Sequence, residues 1–572
     1  MKTPAPAVLF LLALLSAAAQ TAPVQPAAPT APFAVSIAVD AAKTNGELHR
    51  IWRFFGADEP NYATMKDGRK LIGELGAIAP TETYFRAHNL LCTGDGTPAL
   101  KWGSTNVYTE DAQGNPVYNW TIVDHIFDTY IARGVHPYAQ IGFMPEALST
   151  HPEPYQHDWR PGGAGELTAG WAYPPKDYAK WEELAYQWAK HCVERYGRAE
   201  VEKWYWEVWN EANGAGYWHG TAEEFYKLHD YAIAGVRRAL PTARVGGAEA
   251  AGAGGAFTTG FLDHCLTGTN YATGQKGTPL DFVSFHAKGS PSVVDGHVRM
   301  GISNQLRGFD GGFALVAAHP ELKSTPIVIG ESDPDGCAAC TAAVYPANNY
   351  RNSTLFSSYT AATFARGQAI ADLRGVNLEG ALTWSFEFED QPFFAGFRAI
   401  ATDGIDLPVL NVFRMLGQMS GQRIAATSSG EVPLATIMRS GVRAQPDVGA
   451  FASLAPGKLC VLVWHYHDDD VPGPDAEVDL SFAGLPGAAA AAKLTHYRID
   501  QTHSNAFTVW KKMGSPPGPN AAQYKQLLAA GQLAQLDPTA PLTVANGTAA
   551  LKFTLPRQAV SLLVVEWAEA SK

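Results

Sequence analysis

The chain has 572 residues, 46% of them hydrophobic, enough for two or three globular domains with a large core. A net charge of −12 and the absence of any basic tract count against a nucleic-acid partner. Six cysteines are too few to build a disulfide scaffold in a chain of this length.

In chain order, residues 1–19 have the pattern of an export signal. Lys2 is the positive region, Val8-Leu-Phe-Leu-Leu-Ala-Leu-Leu15 the apolar one, too short to span a bilayer, and Ala17-Ala-Ala19 a small-residue cleavage site. Residues 20–32 are rich in Ala, Pro and Thr and read as a disordered linker. No later run is apolar and long enough for a membrane span. The expectation is a secreted or periplasmic protein with no membrane contact once the signal is cleaved. Segment 33–45 has β texture and is expected to add a strand to a C-terminal sandwich.

From 46 to 418, short apolar runs alternate with helical patterns. Strands are predicted at 53–56, 83–88, 137–143, 204–209, 244–248, 282–286, 326–331 and 380–386. Helices are predicted at 64–75, 120–133, 177–196, 221–240 and 352–373, that at 221–240 opening on the capping box Thr221-Ala-Glu-Glu224. Eight strands alternating with helices predict an α/β fold, a (β/α)8 barrel. From 419 to 572 helical periodicity fades, apart from 521–533. β-type runs at 459–464, 476–482, 494–499 and 559–566 predict a β-sandwich accessory domain, with no flexible linker at 416–425 to let it swing free.

The chemistry collects at two strand ends. Trp204-Tyr-Trp-Glu-Val-Trp-Asn-Glu211 ends in a carboxylate that follows an aromatic strand, and the tryptophans before it are expected to wall the site. Pro326-Ile-Val-Ile-Gly-Glu331 ends in another, 120 residues later. In a closed barrel, strands four and seven lie across the mouth from each other, so Glu211 and Glu331 can meet in one pocket. Paired carboxylates are what glycosidic cleavage requires: one protonates the departing oxygen, the other attacks or positions water. His465-Tyr-His467 with Asp468-Asp-Asp470 reads as a solvated polar loop rather than a metal site. Cys337-Ala-Ala-Cys340 reads as a local disulfide or two free thiols. No metal or cofactor is expected.

The chain resembles glycoside hydrolase family 39, the β-xylosidases and α-L-iduronidases, within the clan of retaining enzymes with glutamates on strands four and seven. The resemblance is carried by Phe85-Arg-Ala-His-Asn-Leu-Leu91, Gly142-Phe-Met-Pro-Glu-Ala-Leu148, Trp206-Glu-Val-Trp-Asn-Glu211, Asp281-Phe-Val-Ser-Phe-His286 and Ile329-Gly-Glu331. In the sandwich it is carried by Tyr497-Arg-Ile-Asp-Gln-Thr-His-Ser-Asn505 and Met513-Gly-Ser-Pro516.

That resemblance implies Glu331 as nucleophile and Glu211 as acid/base. It implies Asn210 on the sugar 2-hydroxyl, His88 and His286 on other hydroxyls, and Trp384 as an apolar platform. A further carboxylate from Glu387, Glu389 or Asp390 would hold a hydroxyl, with Glu389 preferred. Lys288, in His286-Ala-Lys-Gly289, departs from the xylosidase pattern toward the iduronidase branch, where a lysine meets the substrate carboxylate. The alternative is that it neutralises Asp333 or Asp335. The expected activity is an exo-acting β-xylosidase on xylo-oligosaccharides, with side activity on α-L-arabinosides. The alternatives are an iduronidase-like uronide hydrolase and a non-catalytic carbohydrate-binding protein.

Overall fold

A computed structural model describes residues 31–163, 165–337, 339–384 and 386–568; the export signal and all but the end of the linker lie outside them. Eight barrel strands run Phe54–Ala57, Thr83–Ala87, Val135–Ile141, Tyr205–Val208, Arg244–Ala250, Phe282–His286, Pro326–Glu331 and Asn377–Ala381. The eighth breaks at Leu382 and resumes as Thr383–Trp384, which pairs with the first strand and closes the sheet. Every pairing is parallel.

The two-residue period of a strand builds the barrel interior in layers. Phe54, Tyr84, Tyr138, Tyr205, Phe282 and Val328 face inward and form the lower core with Leu382 and Trp384. Tyr205 is the hub, stacked on Tyr138 at 5.0 Å and edge-on to Tyr84 at 4.9 Å. Two residues further along the same strands come Gly56, Arg86, Gln140, Glu207, Ser284 and Gly330. One more step gives Asp58, His88 and His286 at the mouth. The same period sends Trp204 and Trp206 outward, against Phe127 and Trp188 of the surrounding helices. The expectation that these tryptophans wall the site is therefore overturned.

The helix Ala222–Ala239 carries the predicted capping box in full, Thr221 accepting from Glu224 N and Glu224 accepting from Thr221 N. Tyr178–Tyr196 starts on Asp177, whose side chain accepts from Ala179 N and Lys180 N. These caps satisfy helix-end amides that would otherwise lack partners.

The second domain is a nine-stranded mixed sheet folded around its own apolar core. Phe33–Glu47 lies inside it, antiparallel to Gln422–Ser428 and parallel to Ala476–Ala483. Strand Lys458–Tyr466 joins the two domains. Leu459, Val461 and Val463 face the sandwich core, whereas Cys460, Leu462 and Trp464 join the apolar core of the barrel side. Arg366 of a barrel helix reaches Asp447 at 2.8 Å and Glu431 at 2.5 Å in the sandwich. The segment 465–470 is not a solvated turn. His465 is fully buried, Asp468 accepts from the barrel's Ile302 N, and Asp469 pairs with Arg299. Cys337 and Cys340 are joined in a disulfide, and the other four thiols are free and buried.

Candidate active site

The strand ends bring Glu211, Glu331, His88, Asn210, His286 and Lys288 together over Trp384. His286 sits between the two carboxylates: Nδ1 is 2.8 Å from Glu211 and Nε2 3.8 Å from Glu331. Burial lowers the ring's proton affinity, but Glu331, Glu249 and Glu211 outweigh it and raise the pKa to about 10. His286 is thus a cation at neutral pH.

The two glutamates live in different surroundings. Glu331 is 5% exposed and faces a lysine, an arginine and two histidines. Lys288 Nζ lies 2.6 Å away, Arg398 Nη2 3.7 Å, and His88 Nε2 3.8 Å. Burial pushes its carboxyl up, yet Lys288, then His286, Arg398 and His88, hold it well below the usual carboxylate range. Glu211 keeps 22% of its side chain exposed and, among the described residues, has His286 as its one charged partner within hydrogen-bond reach.

Asn210 accepts from Arg86 at 3.1 Å through its carbonyl oxygen and leaves a buried Nδ2 with no acceptor among the described residues. His88 is oriented by Asp58, 2.7 Å from its Nδ1, and its ring lies 4.3 Å from that of Trp384. Lys288 also pairs with Asp333 at 2.9 Å, and Arg398 pairs with Asp333 at 2.8 Å. Lys288 and Arg398 are thereby matched by Glu331 and Asp333.

Glu389 is not part of this group. Its carboxylate accepts from Asp67 N at 3.2 Å, at the start of helix Lys66–Ile78, so the preference for Glu389 does not hold in the structure. Glu387 is turned the same way and accepts from Gly404 N. Glu59, after the first strand, is one of the buried carboxyls beside the site that lack a full set of partners among the described residues. One oxygen takes Lys101 N at 2.6 Å and the other has none. Burial, then Asp58, raise its pKa to about 8.

Beneath the mouth lies a charged layer that the sequence reading passed over. Arg86 reaches Glu207 at 2.6 Å and Glu249 at 3.2 Å, all three fully buried. Glu207 also accepts from Tyr138 and Ser284, and burial together with Glu249 raises its pKa to about 8. Burial works against Glu249's charge, but Arg86 and His286 keep its carboxyl low. Glu249 was legible by the rule that flagged Glu211 and Glu331, a carboxylate at a strand end, but the fifth strand runs to Ala250 rather than to 248. Arg398 carries no such signal, since it arrives from a loop after the eighth strand. Among the described residues, no group of three or more His, Cys, Asp and Glu is arranged to hold a metal ion.

A parallel barrel with two carboxylates in unlike surroundings at its mouth, one ringed by cations, defines the glycoside hydrolase class. The family model for glycosyl hydrolases family 39 matches residues 35–543. The chain belongs to that family. It is 25% identical over 504 residues to a β-xylosidase of Geobacillus stearothermophilus, covering 84% of this chain and 86% of the relative. It is 24% identical over 396 residues to human α-L-iduronidase, covering 61% and 55%. Among solved structures, a bacterial orthologue of human α-L-iduronidase superposes with a TM-score of 0.75 at 19% identity, covering 94% of this chain and 85% of that one. A monomeric β-xylosidase from Caulobacter crescentus CB15 superposes with 0.73 at 20% identity, covering 93% and 100%. The domain pair matches both branches of the family, and the fold alone does not choose between them.

Proposed function

We propose that this chain is a retaining exo-glycosidase that releases terminal β-D-xylosyl residues from xylo-oligosaccharides. The observation that carries the reading is the unequal surroundings of Glu211 and Glu331. Glu331, kept ionised by Lys288, His286 and Arg398, attacks the anomeric carbon as Glu211 gives its proton to the departing oxygen. The glycosidic bond breaks and an ester bond to Glu331 forms. Water then attacks the same carbon and its proton passes to Glu211. The ester opens with net retention. The unpartnered Nδ2 of Asn210 is placed to hold a sugar hydroxyl, and Trp384 to support the ring's apolar face.

The pentoside preference rests on charge. Lys288 and Arg398 are balanced within the site by Glu331 and Asp333. A neutral sugar leaves that balance intact. A second reading, a uronide hydrolase, is favoured by Arg398 standing beside Lys288 and by burial, which raises Asp333 toward its protonated form. A weaker charge on Asp333 leaves Lys288 and Arg398 more able to pair with a substrate carboxylate.

Nitrophenyl β-xyloside, α-arabinoside, β-glucoside and an iduronide assayed side by side decide between the readings. Iduronidase activity without xylosidase activity overturns the first. Azide should rescue Glu331→Ala and give the α-glycosyl azide, whereas recovery of the β-azide contradicts the assigned roles. Export is proposed with this function, and N-terminal sequencing of the mature protein should begin at Gln20.

A further inference from the structure

One buried charge at this site has no place in the double displacement as written: Glu249, at the end of the fifth strand. It is fully buried, its Oε2 has no hydrogen-bond partner among the described residues, and the neighbouring Glu207 carboxyl bonds to it only when protonated. A carboxylate so placed costs folding free energy unless its surroundings demand it. Its Oε1 lies 2.8 Å from His286 Nε2, and the other ring nitrogen lies 2.8 Å from Glu211 Oε1. Carboxylate, imidazole and carboxylate therefore form one unbroken line.

The backbone makes a second connection between the same residues. Glu211 N donates to Glu249 O at 2.8 Å, and both residues sit at positive φ, 49° and 48°. Two residues beyond each, Asn213 and Ala251 exchange reciprocal hydrogen bonds at 2.8 and 3.0 Å. The two strand ends are thus locked as a pair. Room for the Glu249 side chain comes from Gly330, where an added Cβ would lie 1.6 Å from Glu249 Oε1. The glycine beside Glu331 is explained by Glu249.

We infer that Glu249 is a positioning residue for proton transfer, acting through His286 to set how readily Glu211 releases and recovers its proton. With Glu249 in place, both imidazole nitrogens carry protons and one donates to Glu211. That donor stabilises the carboxylate left behind when the leaving group takes the proton. Without Glu249 the ring loses one of the carboxylates that hold its second proton, and donates to Glu211 as a weaker partner. Glu211 then holds its proton more tightly and is the weaker acid.

The charged and titratable groups around this line are Glu331, Lys288, Arg398 and His88 on the nucleophile's side. Arg86, Glu207 and Tyr138 lie below, and Tyr217 stands beside Glu211. None of them hydrogen-bonds His286, but the Glu331 charge, 3.8 Å from Nε2, adds to that of Glu249 until the ester forms.

The inference rests on Glu211 as the acid/base. That assignment fails separately if Glu211→Ala keeps full activity on a substrate with a poor leaving group. The test of Glu249 is Glu249→Gln. The alkaline limb of kcat/KM should move up by about one pH unit. Cleavage of a disaccharide should fall by roughly tenfold or more, and that of a dinitrophenyl glycoside by less than about threefold. Equal losses on both substrates with an unmoved limb would make Glu249 merely structural and overturn the inference. A measurement on the unaltered protein covers a variant that fails to fold. In 15N-imidazole spectra His286 should stay doubly protonated through pH 8, and a neutral ring at pH 7 overturns the inference as well.

Discussion

Replacing Lys288 with Met removes the nearest cation from Glu331 and keeps a side chain of similar length. Lys288 Nζ lies 2.6 Å from Glu331 and 2.9 Å from Asp333, so one ammonium serves two buried carboxylates. A hydrogen bond to a charged group contributes about 1.5–3 kcal/mol, which is about one to two pH units of proton affinity. Arg398 at 3.7 Å and His88 and His286 at 3.8 Å remain, so the effect should fall at the lower end. The sign follows from the environment. Glu331 is depressed in the folded protein, and losing a cation moves it back up. The acid limb of kcat/KM on a β-xyloside should therefore shift toward neutrality by about one unit. On a uronide a second hydrogen bond is lost, to the substrate carboxylate. That adds a drop of roughly 10- to 150-fold that a xyloside does not suffer. The assay is a pH series of kcat/KM for both substrates with wild-type and variant enzyme. An acid limb at its wild-type pH would refute the claim that Lys288 keeps Glu331 ionised. Equal losses on both sugars would refute any contact between Lys288 and a substrate carboxylate.

Gly330→Ala puts a methyl group onto the Glu249 carboxylate. It should destabilise the protein by about 1–3 kcal/mol and slow cleavage of poor leaving groups, as Glu249→Gln does, whereas wild-type rates and melting temperature would show that strand seven yields instead. Glu59 is held protonated by burial and by Asp58, with its pKa raised to about 8 from the ordinary 4.5. The folded state therefore binds the proton more tightly than the unfolded chain, and this stabilisation, full below pH 4.5, is lost as pH rises to about 8. Urea titrations should show Glu59→Gln flattening that decline, and an unchanged slope excludes the assignment. Arg366→Ala strips its ion pair from the buried Asp447 and should cost about 3–5 kcal/mol. Because the apolar core continues across the domain boundary, calorimetry should show one transition at lower temperature, and two separated transitions would contradict a shared core.

Much of the barrel was legible because its signal is local. Short apolar runs alternating with helical patterns marked the eight strands, and the capping box announced its helix. Glu211 and Glu331 were found by their position at strand ends. The two-residue period of a strand, followed strictly, would have turned Trp204 and Trp206 outward and drawn Tyr205 and Glu207 in. Composition misled at residues 465–470, because a polar stretch buried between domains has the same residues as a solvated turn. In the loop after strand eight, Glu387 and Glu389 could not be told apart from a pocket residue. Which way each side chain turns is set by backbone path, and both turn to the first barrel helix.

The sequence by itself determined the closed barrel, the sandwich and the two carboxylates facing each other, since periodicity and strand-end position are properties of neighbours in the chain. Tertiary structure alone decided the electrostatics of the site. Lys288 and His286 from one strand end, His88 from another and Arg398 from a loop converge on Glu331, and Glu249 reaches Glu211 through a histidine 37 residues further along the chain. Proton affinities depend on distances of a few ångströms between such groups, and only the closed barrel sets those distances.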